Sequence, residues 1–148
     1  MLLLKEHTKA LAEKLRELRN SRYKILVLWS KFGSDKTTLM REFCSSIGGR
    51  YVDMGSELLP FIDKPVLGAF GAGELLRWIE GELSRDDRVV CFDEIEGLLA
   101  TFGKTGATKF FEILAELETD QVGIVATYLG NELMKANFPK ERIYQLRS

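Results

Sequence analysis

The chain has 148 residues, of which 45% are hydrophobic and 29% are charged, as in one globular domain that buries an ordinary core. Its net charge of −1 does not favour a nucleic-acid or membrane partner. Two cysteines in dissimilar settings, Cys44 and Cys91, lack the CxxC spacing, and the apolar residues 1–4 are followed at once by charged ones. We therefore expect a cytoplasmic protein with reduced thiols and with neither a signal peptide nor a membrane span.

The N-terminal half begins with a predicted helix and a predicted strand. The apolar residues of the first segment share one helical stripe with charged residues between them: Leu4, Leu11, Leu15 and Leu18. This spacing predicts an amphipathic helix over residues 4–19. Residues 25–29 are all apolar, as expected of a strand that is buried on both faces of a parallel sheet. A second helix, with apolar residues at 39, 40 and 43, is expected to end near Gly48.

The remaining elements alternate between strand and helix. The apolar pattern predicts strands at residues 51–54, 88–93, 121–127 and 142–146, and helices at 75–83, 107–118 and 130–137. Because parallel neighbours need crossover connections, this alternation predicts an α/β doubly wound fold with a five-stranded parallel sheet. We expect a single domain over residues 1–148, with an N-terminal helix at 1–21 and an α/β core at 22–148.

Residues 24–38 carry the strongest chemical signal, because they read as a buried strand, a loop and the start of a helix. Lys36 and Thr37 stand where the phosphate-binding P-loop, G-x-x-x-x-G-K-[ST], carries its lysine and its hydroxyl residue. Backbone N–H groups of such a loop cradle the phosphates of ATP, and the hydroxyl binds Mg²⁺. The predicted nucleotide-binding residues are Ser30, Lys31, Phe32, Gly33, Ser34, Asp35, Lys36, Thr37 and Thr38.

This Walker A motif is degenerate, because Ser30 replaces its first glycine and Asp35 replaces the glycine before the lysine. Glycines there let backbone N–H groups face the phosphates without a Cβ in the way. A carboxylate about 5 Å from a phosphate oxygen would be repelled by roughly 3 kcal/mol at an effective dielectric near 20, or about a hundredfold in affinity. Asp35 could instead turn outward and cap the helix, or pair with Lys36 or Lys31. We expect weak or absent ATP binding by the isolated chain.

A matching acidic motif ends the third predicted strand. The apolar residues 89–92 lead into Asp93 and Glu94, which is the Walker B form. In that arrangement Asp93 would hold Mg²⁺ through its water shell, and Glu94 would polarise the attacking water. An acidic loop that caps the next helix is the alternative interpretation. The order of the two motifs along the chain favours a nucleotide site.

The fourth predicted strand ends in a polar residue, Thr127, which could sense the γ-phosphate from a position between the two motifs. A threonine that only ends a strand is the alternative. Asn131 is the second sensor candidate, and its position is more typical of a helix cap. The predicted catalytic residues are thus Glu94, Lys36 and Thr127.

The two Walker motifs, the sensor-like strand end and the last strand, over residues 22–148, resemble the core of AAA+ and related P-loop ATPases. The resemblance implies a sheet with strand order 5-1-4-3-2. It also implies that Lys36 contacts the phosphates, that Thr37 and Asp93 bind Mg²⁺, and that Glu94 is the catalytic carboxylate. The small size and the N-terminal helix are similar to the BrxF family of BREX phage-defence systems.

AAA+ proteins usually continue into a helical lid whose arginine reaches the nucleotide, and this chain ends at Ser148. The resemblance therefore implies an AAA+-like core without a lid domain, whose site takes an arginine from elsewhere, such as a neighbouring subunit. Arg142 and Arg147 could reach a phosphate of another copy. Surface charges that flank a strand are the simpler interpretation of both.

Three functions are compatible with these residues. The first is an ATP-dependent enzyme or switch whose chemistry is completed in an oligomer or a multiprotein complex, with phage defence implied by the family resemblance. Its partners would be other proteins of the defence system or further copies of the chain, with nucleic acid contacted only through the assembly. The second is a degenerate ATPase fold that acts as a protein-binding module without catalysis. The third is a small-molecule kinase, for which no clear set of substrate-binding arginines is present.

Two other features are predicted to have no chemical role. Residues 103–105 repeat the letters GKT, but no strand precedes them and Leu98 stands where the first glycine is required. They are expected to form a mobile loop before the helix at 107. His7 lies on the charged face of the first helix and is expected to be exposed.

Overall fold

The structure is a computed structural model that describes residues 2–31, 36–57 and 71–146. Its helices are α1 (Leu2–Leu18), α2 (Lys36–Ser46), α3 (Ala72–Ser84), α4 (Glu96–Thr101), α5 (Gly103–Ala115) and α6 (Gly130–Lys135). Its strands are β1 (Ile25–Trp29), β2 (Arg50–Asp53), β3 (Val90–Asp93), β4 (Gly123–Thr127) and β5 (Ile143–Gln145). Residues 54–57 form a further helical turn, and Lys140–Arg142 is a 3₁₀ turn that leads into β5.

The strands form one sheet in the order β2-β3-β4-β1-β5, and every neighbouring pair is parallel. This is the expected order 5-1-4-3-2 read from the other edge, so the predicted α/β fold is confirmed. The register brings strand ends together, because Trp29 pairs with Thr127 across β1 and β4, and Asp53 pairs with Asp93 across β2 and β3. The carboxyl ends of these strands therefore share one edge of the sheet, which we call the carboxyl edge.

Helices cover both faces of the sheet. Side chains alternate along β1, so that Leu26 and Leu28 join one hydrophobic cluster while Ile25 and Val27 join the other. The first cluster includes Leu11, Leu15 and Leu18 of the predicted α1 stripe and the buried face of α2, with Phe43 fully buried. The second contains residues of α3, α4, α5 and α6. Apolar runs such as that of β1 are needed because a strand between two helical layers has no solvent-facing side.

Residues 103–105 do not form the loop that the sequence predicts. They make the first turn of α5, directly after α4, which the sequence did not predict. Gly103 has φ of +74°, a backbone conformation that most other residues resist, and it turns the chain between the two helices. The apolar face of α5 contributes Phe110 and Phe111, both fully buried, to the core. Packing of that face outweighs the weak helix propensity of the first turn.

Arg142 is not the surface charge that the sequence suggested, since only 6% of it is exposed. Its guanidinium donates hydrogen bonds to the carbonyl oxygens of Ala115, at 2.6 Å, and Ile25, at 3.4 Å. It also lies over the rings of Tyr23 and Phe138. Burial lowers the pKa of Arg142. This arginine ties β1 to α5 near the amino ends of the strands, so it does not reach a phosphate in another copy.

His7 is half-buried rather than exposed, because its Nδ1 shares a hydrogen bond with the Tyr144 hydroxyl on β5. Arg147 lies outside the described residues. None of the helices in the described ranges is long and apolar enough to cross a bilayer.

The two cysteines lie in one setting, although they differ in sequence context. Both are free and buried, with Cys44 on α2 and Cys91 on β3. A hydrogen bond between the two thiols lowers the pKa of Cys44 and raises the pKa of Cys91. The contact helps to pack the helix that follows the phosphate loop against the strand that carries the Walker B motif.

Candidate functional site

The candidate site lies at the carboxyl edge, where β1, β3 and β4 end and α2 begins. In parallel α/β sheets, ligands bind outside the carboxyl ends of the strands, where the loops are free to vary. Here β1 leads into the segment predicted to be a degenerate Walker A loop, β3 ends in Asp93, and β4 ends in Thr127. Chain segments that are far apart in sequence therefore meet at this edge because the strand order places β4 between β1 and β3.

The phosphate loop starts at Ser30, whose N–H donates a hydrogen bond of 3.1 Å to the carbonyl oxygen of Thr127. The Ser30 side chain is fully buried, and its Oγ has no hydrogen-bond partner in the described part of the chain. Lys31 and Thr38 are exposed. The loop residues Phe32, Gly33, Ser34 and Asp35 lie outside the described residues, as does the side chain of Lys36. The direction of the Asp35 carboxylate therefore stays a prediction.

Thr37 contacts the Walker B motif directly. Its Oγ1 donates a hydrogen bond of 3.1 Å to Oε1 of Glu94. Glu94 is exposed and has φ of +60°, a conformation that is uncommon for a residue with a side chain. Because the hydroxyl gives its hydrogen to Glu94, the lone pairs of Oγ1 stay available to a cation. The structure thus brings together two residues that the sequence assigned to the same site.

Asp93 is fully buried, yet both oxygens of its carboxylate accept hydrogen bonds. Oδ1 accepts from the backbone N–H of Glu94 at 2.9 Å, and Oδ2 accepts from the hydroxyl of Tyr51 at 2.7 Å. A buried carboxylate is costly unless such donors replace its hydration. Burial and the neighbouring Asp93 raise the pKa of Tyr51, so this hydroxyl keeps its proton and remains a donor. Sequence reasoning missed Tyr51, because nothing in residues 51–54 distinguishes it from an ordinary strand residue.

Thr127 is fully buried, and its Oγ1 accepts a hydrogen bond of 3.1 Å from the N–H of Leu129. That bond stabilises the turn after β4, as the alternative interpretation of this residue supposed. Asn131 does not cap a helix, because Leu129 holds the N-cap position of α6 and Asn131 lies inside the helix. Gly130, the first residue of α6, packs against the indole of Trp29, where a Cβ would lie 2.6 Å from Nε1.

The residues at this edge fit a magnesium nucleotide. In residues 2–31, 36–57 and 71–146 there is no cluster of three or more His, Cys, Asp or Glu that could hold a metal by itself. Magnesium beside a nucleotide is usually held by one or two protein oxygen ligands together with the phosphates and water. The Thr37 hydroxyl and the Asp93 carboxylate are oxygen donors of the type that Mg²⁺ prefers. The partner-free Ser30 hydroxyl adds a hydrogen-bonding group that a ligand could use.

The strand order agrees with the expected fold. A segment ending in Lys36 follows β1, and an Asp-Glu pair follows the apolar run of β3, with β4 lying between the two strands. The five-stranded parallel sheet therefore matches a P-loop NTPase-like α/β core.

Comparison with known proteins finds similarity to solved structures and none to a family model or a curated protein. Among solved structures, the core is similar to the Orc1 protein of Aeropyrum pernix, solved in complex with DNA, with 21% sequence identity and a TM-score of 0.44. The match covers 99% of this chain and 44% of that one, so the chain spans less than half the length of that protein.

Proposed function

We propose that this protein is a P-loop NTPase-like protein that binds MgATP weakly by itself, in a site that an oligomer or a multiprotein complex completes. The observation that carries the proposal is the convergence of Thr37, Asp93 and Glu94 at the carboxyl edge. A 3.1 Å hydrogen bond joins the first and the last of them, and the buried Asp93 carboxylate accepts hydrogen bonds from the N–H of Glu94 and from the hydroxyl of Tyr51.

The proposed roles follow from where each group lies. Lys36, at the first turn of α2, contacts the phosphates, while Thr37 and Asp93 hold Mg²⁺. Bound Mg²⁺ would neutralise charge on the β- and γ-phosphates. Glu94, exposed at the end of β3, orients the attacking water and accepts its proton. Thr127 is the γ-phosphate sensor, which requires its hydroxyl to change partner from the N–H of Leu129.

The cellular setting is part of the same proposal. We place the protein in the cytoplasm, in a BrxF-like role in phage defence, as a single domain over residues 1–148 whose partners are other defence proteins or further copies of the chain. Because Arg142 is engaged within the fold, an arginine that completes the site has to come from another surface. Nucleic acid would be contacted only through the assembly.

The test is a calorimetric titration of the wild type and of Asp35→Gly with ATP, with and without Mg²⁺. We expect weak or undetectable binding by the wild type and up to about a hundredfold tighter binding by Asp35→Gly, because the repelling carboxylate is removed. Lys31→Gly, which alters an exposed residue of the same loop, is the matched control and should not tighten binding. Micromolar binding by the wild type would contradict the weak affinity. Failure of both proteins to bind ATP would overturn the nucleotide site itself.

A second function is favoured by the hydrogen bonds that the site groups already make. Thr37 is bonded to Glu94, and Thr127 is bonded to the Leu129 N–H, so two proposed ligand groups are satisfied within the fold. These internal hydrogen bonds would be sufficient for a degenerate ATPase fold that serves as a protein-binding module, since such a module needs no bound nucleotide. In that case Lys36→Ala and Glu94→Gln would leave the function of the assembly unchanged, whereas substitutions on the exposed face of α1 would abolish it.

A further inference from the structure

Tyr51 donates a side-chain hydrogen bond to the Asp93 carboxylate. It lies on β2, two positions before Asp53, which is the register partner of Asp93. Side chains two positions apart point to the same face, so the Tyr51 ring lies on the Asp93 side of the sheet and its hydroxyl reaches Oδ2 at 2.7 Å. This contact comes from the edge strand, which the phosphate-loop and Walker B motifs do not include.

The ring of Tyr51 also contacts a side chain of α2. The guanidinium of Arg41, on α2, lies 4.6 Å from the ring centroid. A cation over an aromatic face is attracted by the electrons of the ring and so helps to hold the ring in place. A chain of contacts therefore runs from α2 through Arg41 and Tyr51 to Asp93, and it connects the two halves of the proposed site on the side away from β4.

We propose that Tyr51 is a positioning residue that orients the Asp93 carboxylate for the Mg²⁺ of a bound nucleotide. The inference rests on the proposed function. The hydroxyl donates to Oδ2 and fixes the rotation of the carboxylate, and this rotation sets how the carboxylate oxygens face the water shell of the ion. Hydrogen-bond partners of metal-binding groups typically contribute 10- to 100-fold to metal affinity. Tyr51 acts through Asp93 and does not touch the nucleotide.

A purely structural role would have a different signature. If the hydrogen bond only satisfied a buried carboxylate, its loss would lower the stability of the fold and would weaken nucleotide binding equally with and without the metal. A positioning role weakens only the part of the binding that Mg²⁺ contributes. The measurement that separates them is the Mg²⁺ enhancement, defined as the dissociation constant for ATP in EDTA divided by that in excess Mg²⁺.

The experiment compares the Mg²⁺ enhancement of the full chain with those of Tyr51→Phe and Tyr144→Phe, in the wild-type and the Asp35→Gly backgrounds. Tyr144→Phe is the matched control, because it also removes a hydrogen-bonded hydroxyl from a strand tyrosine, one that bonds His7 at the opposite edge of the sheet. We expect about a tenfold smaller enhancement in Tyr51→Phe, with the EDTA value unchanged, and no change in Tyr144→Phe.

An unchanged enhancement in Tyr51→Phe, or an equal loss in Tyr144→Phe, would overturn the role of Tyr51 and leave the proposed function standing. Absence of ATP binding in both backgrounds would overturn the two together, so the two failures are distinguishable. If Tyr51→Phe does not fold, Arg41→Ala decides the matter, because it alters an exposed residue and leaves the hydroxyl in place. It should reduce the enhancement about twofold, and an unchanged value would overturn the proposal.

Discussion

The two ends of the strands differ in how their polar groups are bonded. We call the end of the sheet at which the strands begin, at Ile25, Arg50 and Val90, the amino edge, as opposed to the carboxyl edge. At the amino edge, Asp86 accepts from both Arg50 and Arg88, at 2.7 and 3.0 Å, and the buried Arg142 donates to two carbonyl oxygens. At the carboxyl edge, the buried Ser30 hydroxyl has no partner in the described residues, and Glu94 has an uncommon backbone conformation. These polar groups at the amino edge are hydrogen-bonded within the fold, while the Ser30 hydroxyl at the carboxyl edge retains bonding capacity that a ligand can use.

This difference indicates where an α/β protein can carry function. Buried polar groups stabilise a fold only when they are fully satisfied, and a group left unsatisfied costs about 1 to 3 kcal/mol. Such a cost is expected at a site that is completed by a ligand. Substitutions that lower stability without altering ligand binding should therefore cluster at the amino edge, and those that do the reverse should cluster at the carboxyl edge.

The largest effect is expected at the amino edge from Arg142→Ala. Removal of this buried side chain leaves two carbonyl oxygens without their donor and empties the space between Tyr23 and Phe138. The free energy of unfolding should fall by about 3 kcal/mol, measured by urea denaturation, while ATP affinity of the folded protein stays unchanged. The exposed Arg16, replaced by alanine, is the control and should change stability by less than about 0.5 kcal/mol. A loss for Arg142→Ala no larger than for the control would contradict the structural role.

An effect of opposite sign is expected at the carboxyl edge from Ser30→Ala. Because the hydroxyl that is removed is buried and has no partner among the described residues, the free energy of unfolding should rise by about 1 kcal/mol. The matched control is Thr119→Val, which deletes a buried hydroxyl that does donate, to the carbonyl oxygen of Gln121 at 2.8 Å, and should lower stability by about 1 kcal/mol. Urea denaturation of both variants tests the contrast. Equal destabilisation by the two substitutions would remove the difference between the edges.

The smallest effect is a pH dependence at the amino edge. Hydrogen bonds from Arg88, and then from Arg50, hold the pKa of Asp86 well below its usual range. The ionised form of Asp86 therefore stabilises the fold above the unfolded-state pKa near 4, and this contribution is lost as the pH falls toward the lower folded-state pKa. Asp86→Asn should lower stability at neutral pH and flatten the acid limb of a stability profile between about pH 5 and 2. The exposed neighbour Asp87, changed to asparagine, is the charge-matched control, and an identical acid limb in the two variants would contradict the assignment.

Much of the fold follows from patterns that are local in the sequence. The all-apolar run of β1 has the predicted bounds, because five consecutive apolar residues have no stable place except a strand covered on both faces. The order of the sheet was predicted from the resemblance that the motifs after β1 and at the end of β3 carry, and it is confirmed. The loop that carries Asp35 lies outside the described residues, so the weakness of the site stays a prediction.

Local sequence patterns did not predict the contacts between residues that are distant in the chain. The thiol contact of Cys44 with Cys91 and the hydrogen bond of Tyr51 with Asp93 each depend on which residues face each other across two elements. A one-residue change of register would separate them, and hydrophobic periodicity does not distinguish one neutral strand residue from another. Arg142 was misjudged for a related reason, since a charged residue is normally exposed unless the fold supplies partners that its own segment does not contain.

The sequence by itself thus determined the α/β class and the two motifs whose meeting suggests a nucleotide site, because strand and loop patterns are set by local side-chain chemistry. The strand order was predicted from the family resemblance that those motifs carry. Only the tertiary structure showed that Thr37 donates a hydrogen bond to Glu94 and that Tyr51 donates one to Asp93. It also showed that the Arg142 side chain is buried in the core and is not exposed where it could contact a phosphate. Those outcomes depend on burial and on hydrogen-bond partners from elements far apart in the chain. Such partners are defined only once the strands are in register.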